Sequence, residues 1–461
     1  MKLGVRDPVS GSSQTSLRIG SGRPRIMAIV TATAWRPSRR TIVLFAAALA
    51  VAAVAALSAI IVIALGASSG HAVSQPRALR STPPHATTAA LDSELRAARA
   101  DLHAPAVSAA VVACGHVVWA NATGVLDVRS MRPASNGSLF ILNSAAKSIV
   151  ATMIMQEVQH GHLSLGSKLS QFYRRLPNAD RISVRMLLNM TSGLPDYLEN
   201  QRIEWMIRHQ PRHHWTVDQI LTGLGAGLGP PEFAPGHEYQ YSDTNYIVLG
   251  GILERITHSS IERDFQQLIA RPLGITSATF VPTPAAESHL AHPYLFLSNG
   301  SLSSQWIPGF GVPSAVWGPV FTDGGMAASP LDLAKFANAL LGGQLVSAAA
   351  VRQMTHLGPG NYGFGVRGRQ FDGHSWLGQA GIFGGFQAQG WSDPGRQLTI
   401  VVATDVQQPG YGLTSNRTWR EIAAAYDRDA PAGLCRAVQG ASSPRTLKLK
   451  LIPNSARLGA A

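Results

Sequence analysis

The stretch FILNSAAKSIVATMIMQEV, Phe140 to Val158, decides the reading of this 461-residue chain. It is an almost wholly apolar helical run that begins at a polar residue, Ser144, and carries one cation, Lys147, a turn later. A lysine on the apolar face of a buried helix is costly to desolvate and rarely stands there without a partner. Positions i and i+3 share a helix face, so Ser144 and Lys147 are within reach of each other. A serine hydroxyl is a weak nucleophile until a neighbour takes its proton. A desolvated lysine, its pKa lowered, is a candidate for that base or for orienting one. Ser144 also stands near the positive end of the helix dipole, which favours a developing oxyanion. Taken alone, the S-x-x-K spacing recurs by chance and equally describes an N-cap serine with a snorkelling lysine.

Charge places the rest of the chain around this helix. Residues 1–40 hold eight lysines and arginines against one acid, and residues 436–461 hold five against none. The remaining 26 basic and 25 acidic residues nearly cancel. The net charge of +13 thus belongs to the two ends, whereas a nucleic-acid reader carries its cations on the folded body. Nucleic acid is excluded as a partner on that ground.

Thr41 to Gly66, TIVLFAAALAVAAVAALSAIIVIALG, has no charged residue over 26 positions. About 20 apolar residues span a bilayer as a helix. Arg36, Arg39 and Arg40 precede the run, so the positive-inside rule keeps the N-terminus cytoplasmic and exports the chain beyond Gly66. An uncleaved anchor fits the length better than a cleaved signal peptide, whose apolar region runs to ~7–15 residues. Cleavage near Ala64–Ala67 with secretion is the alternative, and Met27 is a second candidate start. The expected organisation is a basic cytoplasmic segment at 1–40, a transmembrane signal anchor at 41–66, a Pro-rich flexible linker at 67–90, a folded domain at 91–432 and a basic tail at 433–461.

Within the folded domain, Leu91, Leu95, Ala98 and Leu102 have helical spacing. VSAAVVACGHVVWANATGV reads as a hairpin broken at Cys114-Gly115-His116. Helical patterns fill the middle, Pro- and Gly-rich loops occupy roughly 281–325, and a helix at Pro330–Leu341, strands and a helix at Arg417–Tyr426 close the domain. Strands at both ends with helices between predict an α+β fold. One sheet is built from chain-distant halves, with a helical insertion.

Two further motifs come after Ser144 in order: Tyr241-Ser242-Asp243 before a helix, and Gln379-Ala380-Gly381 beside a strand pattern. With ISVRMLLNMTSGLPDY, FAPGHEYQYSDTNYIVLGGILE and GGMAASPLDLAKFANALLGG, the set resembles the serine beta-lactamase-like, penicillin-binding-protein-like family. That family comprises class C beta-lactamases, D-alanyl-D-alanine carboxypeptidases and related esterases. The resemblance covers about Leu91 to Arg428. It implies a beta-lactamase/transpeptidase-like fold, an antiparallel sheet flanked by helices with an inserted all-helical subdomain. It also implies an acyl-enzyme reaction without cofactor or metal on a small-molecule or peptide acyl donor. In it Ser144 matches the nucleophile, Lys147 and Tyr241 the proton-transfer groups, and the backbone N–H groups of Ser144 and Ile382 the oxyanion hole. Asp243, Gln379, Ala380 and Gly381 match substrate-binding positions.

Two positions depart from the family pattern. Asp243 replaces an asparagine, and an anion there would hold Lys147 protonated and weaken it as a base. Gln379 replaces the lysine or histidine that meets a substrate carboxylate, and glutamine supplies no charge. These departures favour esters or amides without a carboxylate, and leave a non-catalytic module that binds cell-wall peptide as the alternative. Cys114 and Cys435, the only cysteines, are expected to form a disulfide in an exported domain. A half-buried free Cys114 with a loose Cys435 is the other reading. His160, His162, His209, His213 and His214 read as solvated loop residues, because no Cys or acidic partner appears at ligand spacing.

Overall fold

The computed structural model describes residues 85–408 and 412–429. Helix α1 runs His85–Asp101. It begins inside the segment expected to be linker, since the alanines of HATTAA are good helix formers ahead of Leu91. Strands β1 (Ala106–Ala113) and β2 (His116–Asp127) form the expected hairpin, with Cys114 and Gly115 both left-handed at the turn. A short β3 (Arg132–Pro133) pairs with β2. Helix α2 (Lys147–Gln159) comes next, and the long helix α3 (Thr244–Thr257) packs against it within the helical insertion. Helix α4 (Pro330–Leu341) returns the chain to the sheet. Four strands then run in sequence: β4 (Arg367–Phe371), β5 (His374–Phe383), β6 (Phe386–Asp393) and β7 (Leu398–Thr404). Helix α5 (Ser415–Asp429) closes the described chain.

The main sheet has the order β3-β2-β1-β7-β6-β5-β4, antiparallel throughout. The N-terminal hairpin and the C-terminal meander meet at β1 and β7, where Val107 stands opposite Thr404 and Ala113 opposite Leu398. Every residue of β1 is buried, and its side chains alternate between two cores. Val107, Ala109 and Val111 face the layer of α1 and α5, with Leu91, Leu95 and Trp419. Ala106, Ala110 and Val112 belong to the larger core, which holds α2 and α4. A strand covered on both faces needs a continuous apolar run, which AVSAAVVA supplies.

Helix α2 is buried from Lys147 through Glu157, as an all-round apolar helix must be. Ahead of it, Phe140–Ile141 pairs antiparallel with Ala327–Ala328, which brings residues 322–326 beside its first turn. Cys114 is disulfide-bonded, while Cys435 lies outside the described residues. Among the described residues no helix is long and apolar enough to cross a membrane. The run 41–66, the segment 1–40 and the tail 433–461 lie outside them.

Candidate active site

Ser144 sits on a 3-10 turn, Asn143–Ala146, that feeds directly into α2. Asn143 takes a left-handed conformation, φ 49°, and its side-chain amide donates to the carbonyl of Phe386 at 3.2 Å. The turn is thereby tied to the β5–β6 hairpin. Two glycines allow the close approach. A Cβ on Gly324 would lie 2.9 Å from the Asn143 backbone. A Cβ on Gly381 would strike the Leu142 carbonyl and lie 2.5 Å from the Ser144 nitrogen. Only glycine lets the strand of the third motif press against the serine turn.

The three residues singled out from the sequence converge. Lys147 Nζ donates to Ser144 Oγ at 3.0 Å, and the Tyr241 hydroxyl donates to the same oxygen at 2.8 Å. Tyr241 and Asp243 reach the site from the segment that leads into α3. Ser144 and Ile382 line one cavity of about 60 Å³, with Asp243, Asp323, Phe321 and Val316 among its walls.

Lys147 is fully buried and held by more than the serine. Its Nζ lies 2.5 Å from Asp243 Oδ1 and donates to the Asp323 carbonyl at 2.7 Å. The sequence places Asp243 among the substrate contacts. In the structure it stands at the start of α3 without capping it, its carboxylate committed to the lysine. Burial alone would push the Lys147 ammonium down, but the carboxylates of Asp243 and Asp323 outweigh it and raise its pKa above the ordinary lysine range. This corrects the expectation of a lowered lysine pKa and fulfils the one drawn from Asp243. Burial, reinforced by Asp243, also pushes the Tyr241 hydroxyl well up. The resting site therefore holds both proton-transfer groups in their protonated forms at neutral pH.

Several residues that the sequence did not mark complete the site. The Asp323 carboxyl accepts from the Tyr197 hydroxyl at 3.0 Å, and its other oxygen is buried without a hydrogen bond. Asp196 accepts from the Asp243 backbone N–H at 3.1 Å. Burial and the neighbouring Asp243 raise Asp196 to about 6 and Asp323 to about 7. Arg367, at the start of β4, places its guanidinium 4.8 Å from the Tyr241 ring centre and 5.3 Å from that of Tyr362.

Gln379 departs from its expected role. It is buried, its amide donating to the Tyr362 hydroxyl at 3.2 Å, so it is turned inward rather than towards a substrate carboxylate. Ala380 and Gly381 continue β5 beside it, opposite Gln389 and Ala388 of β6. The histidine reading needs one correction: Glu157, one turn before His160, supplies an acidic neighbour to both His160 and His162. His209 ends a helix, Gln201–His209, and stacks on Trp205.

Comparison with known proteins places this geometry. A family model described as Beta-lactamase matches residues 91–424. The chain is 24% identical to the putative penicillin-binding protein PbpX of Bacillus subtilis (strain 168) over 317 residues, 68% of this chain and 74% of that protein. It is 30% identical to esterase EstB of Burkholderia gladioli over 195 residues, 39% of this chain and 47% of the esterase. It is 29% identical to lovastatin esterase of Penicillium rubens over 286 residues, 55% and 69% of the two chains. The fold is similar to D-amino acid amidase from Ochrobactrum anthropi SV3, solved with L-phenylalanine amide. The TM-score is 0.63 at 22% identity, covering 74% of this chain and 98% of the amidase. A likeness at that identity concerns the fold alone.

Replacing Asp243 with asparagine removes the nearest anion from Lys147 and lowers the lysine's pKa. Asp243→Asn is expected to move the alkaline-rising limb of kcat/KM for p-nitrophenyl acetate to lower pH by roughly one to three units. A limb that stays in place would show that Asp243 does not set the charge of Lys147.

Proposed function

The chain belongs to the beta-lactamase family, and from that premise we propose that it is an exported, membrane-anchored serine hydrolase acting through an acyl-enzyme on ester, amide or cell-wall-peptide-like substrates. One observation carries the reading: Ser144 Oγ accepts hydrogen bonds from both Lys147 and Tyr241, which puts both proton-transfer groups in direct contact with the nucleophile. Loss of one proton from the Lys147–Tyr241 pair creates the base. Ser144 Oγ then attacks the acyl carbon, its proton passing to that base. The carbonyl oxygen, now negative, is met by the backbone N–H groups of Ser144 and Ile382, an arrangement typically worth ~10²–10³ in rate per donor. Collapse of the adduct breaks the bond to the leaving alcohol or amine, which takes the proton from Tyr241 and leaves Ser144 acylated. Water, giving its proton to the same base, then attacks the acyl-enzyme ester, which releases the acid and returns the proton to Ser144 Oγ. Because both groups rest protonated, turnover rises with pH.

Neutral esters and amides suit the inward-turned Gln379. A second reading, capture of carboxylate-bearing penicillin-like peptides, is favoured by Arg367, a guanidinium stacked over Tyr241. One labelling experiment separates them. A fluorophosphonate is expected to label the full chain at Ser144, with labelling lost in Ser144→Ala and slowed roughly 10²–10⁴-fold in Tyr241→Phe. If Arg367 meets a carboxylate, Arg367→Ala reduces labelling by a fluorescent penicillin while leaving fluorophosphonate labelling intact. Undiminished labelling of Ser144→Ala would remove the nucleophile assignment.

Export is supported by the charge-free run 41–66 behind Arg36, Arg39 and Arg40, and by the disulfide at Cys114, since disulfides persist outside the reducing cytosol. Alkaline phosphatase joined after Thr88 is expected to be active and to sediment with membranes. An inactive, cytosolic fusion would end the anchor assignment, and an active fusion released to the medium would favour cleavage.

A further inference from the structure

At the far end of α2 from Ser144, three side chains gather that the proposed chemistry does not use. Glu157 lies in the last turn of the helix, and its side chain is only 7% exposed. His160 stands at i+3 and caps the helix. Gly161 then takes a left-handed conformation, φ 79°, and turns the chain back. The His162 backbone N–H donates to the Glu157 carbonyl at 3.0 Å, and its ring comes over the same residue's carboxylate. His160 Nδ1 lies 3.4 Å from Glu157 Oε1, and His162 Nδ1 lies 2.6 Å from Oε2. The donor atoms of all three residues lie within 4.8 Å of one another. Among the described residues no other set of His, Cys, Asp or Glu donors is gathered in this way.

This corner gathers one buried carboxylate and two imidazoles, groups that a cation draws together. A buried carboxylate requires a counter-charge or a metal. The C-terminal end of a helix carries the negative end of its dipole, which further disfavours an anion there. Among the described residues the ion-pair partners of Glu157 are these two imidazoles. A neutral imidazole supplies a hydrogen bond but no charge. A divalent cation at the shared edge of the two rings would meet the carboxylate and both ring nitrogens together.

We propose that Glu157, His160 and His162 form a binding site for a divalent transition metal of the zinc class. Two imidazoles and a carboxylate are a donor set that zinc accepts, with bonds of about 2.0–2.2 Å. Tetrahedral geometry at those lengths places donors about 3.3 Å apart. The two imidazoles meet different oxygens of the Glu157 carboxylate, so a small rotation of that carboxylate and of the exposed rings is what closes the set on one ion. The side chains of His160 and His162 are 38% and 46% exposed, which gives the ion an entry path and leaves a fourth position for water. The 13 residues of α2 span about 20 Å at 1.5 Å per residue, with Ser144 just before its first residue and the site at its last turn. Its part is to clasp the end of α2 to the loop beyond it, independently of the chemistry at Ser144.

The test is competition for zinc sulfate between the chelator-stripped full chain and a chromophoric chelator, with thermal unfolding measured alongside. The expected result is one zinc ion withdrawn per chain and a rise in the unfolding temperature on adding zinc. The double variant His160→Ala/His162→Ala changes only partly exposed side chains, and its unfolding without metal reports whether it folds. It is expected to hold zinc at least tenfold more weakly and to lose the thermal rise, with fluorophosphonate labelling of Ser144 unchanged. Equal zinc binding by the parent and a folded double variant, or no competition by the parent, overturns the proposal. Neither result bears on the hydrolase reading, because no catalytic group is altered.

Discussion

A buried ammonium is the constraint around which this molecule is arranged. Lys147 opens a helix that is buried through Glu157, and its own side chain is fully buried. Moving such a charge into the interior is tolerated only where partners and hydrogen bonds meet it. Three do: the Asp243 carboxylate, the Asp323 carbonyl and the Ser144 hydroxyl. They come from three separate parts of the chain. The Phe140–Ile141 and Ala327–Ala328 pairing, the left-handed Asn143 and the side-chain-free surfaces of Gly324 and Gly381 are what bring those parts to within bonding distance.

The same arrangement makes the site rich in protons. Asp323 and Asp196 crowd one lysine beside Asp243, and burial, with the repulsion of Asp243, makes both retain protons. Both raised carboxyls carry the same sign in stability. Their protonated forms are favoured by the fold, so their contribution is fully present below the ordinary aspartate pKa of 3.8 and is lost as pH rises through about 6 for Asp196 and about 7 for Asp323. Reactivity runs the other way, because the base at Ser144 appears only as protons leave. A domain built like this gains chemistry with pH where it loses part of its stability.

Local spacing made half of the site readable. Ser144 and Lys147 are three apart on one helix, so their meeting comes from helical geometry, and the buried-strand character of β1 comes from its unbroken apolar run. Tyr241 carries no such local signal, and only its place in an ordered set of motifs marked it. The residues that were missed act across long stretches of chain: Asp323 is 176 positions from Lys147, and Tyr197 reaches Asp323 across 126. No periodicity reports such meetings. Burial, legible in an apolar helix, gave the lysine's shift the wrong sign; the Asp243 departure gave the right one, while the second carboxylate, Asp323, carried no local signal. Gln379 was read by position alone, and its partner Tyr362, 17 residues earlier, is what turns it inward. Glu157 was passed over although His160 stands at i+3 from it; His162 reaches it only after Gly161 reverses the chain.

The central claim is that Lys147 rests as an ammonium at neutral pH because the Asp243 carboxylate and the Asp323 carbonyl hold it there. The direct measurement is a titration of the Lys147 side chain in the full chain by 15N-detected NMR, with the resonance assigned by its absence in Lys147→Arg. The account predicts an Nζ that keeps the chemical shift and proton coupling of an ammonium from pH 6 to beyond the ordinary lysine pKa of about 10.4. A lysine that loses its proton between pH 7 and 8 would contradict it, and would make Lys147 a free base in the resting site.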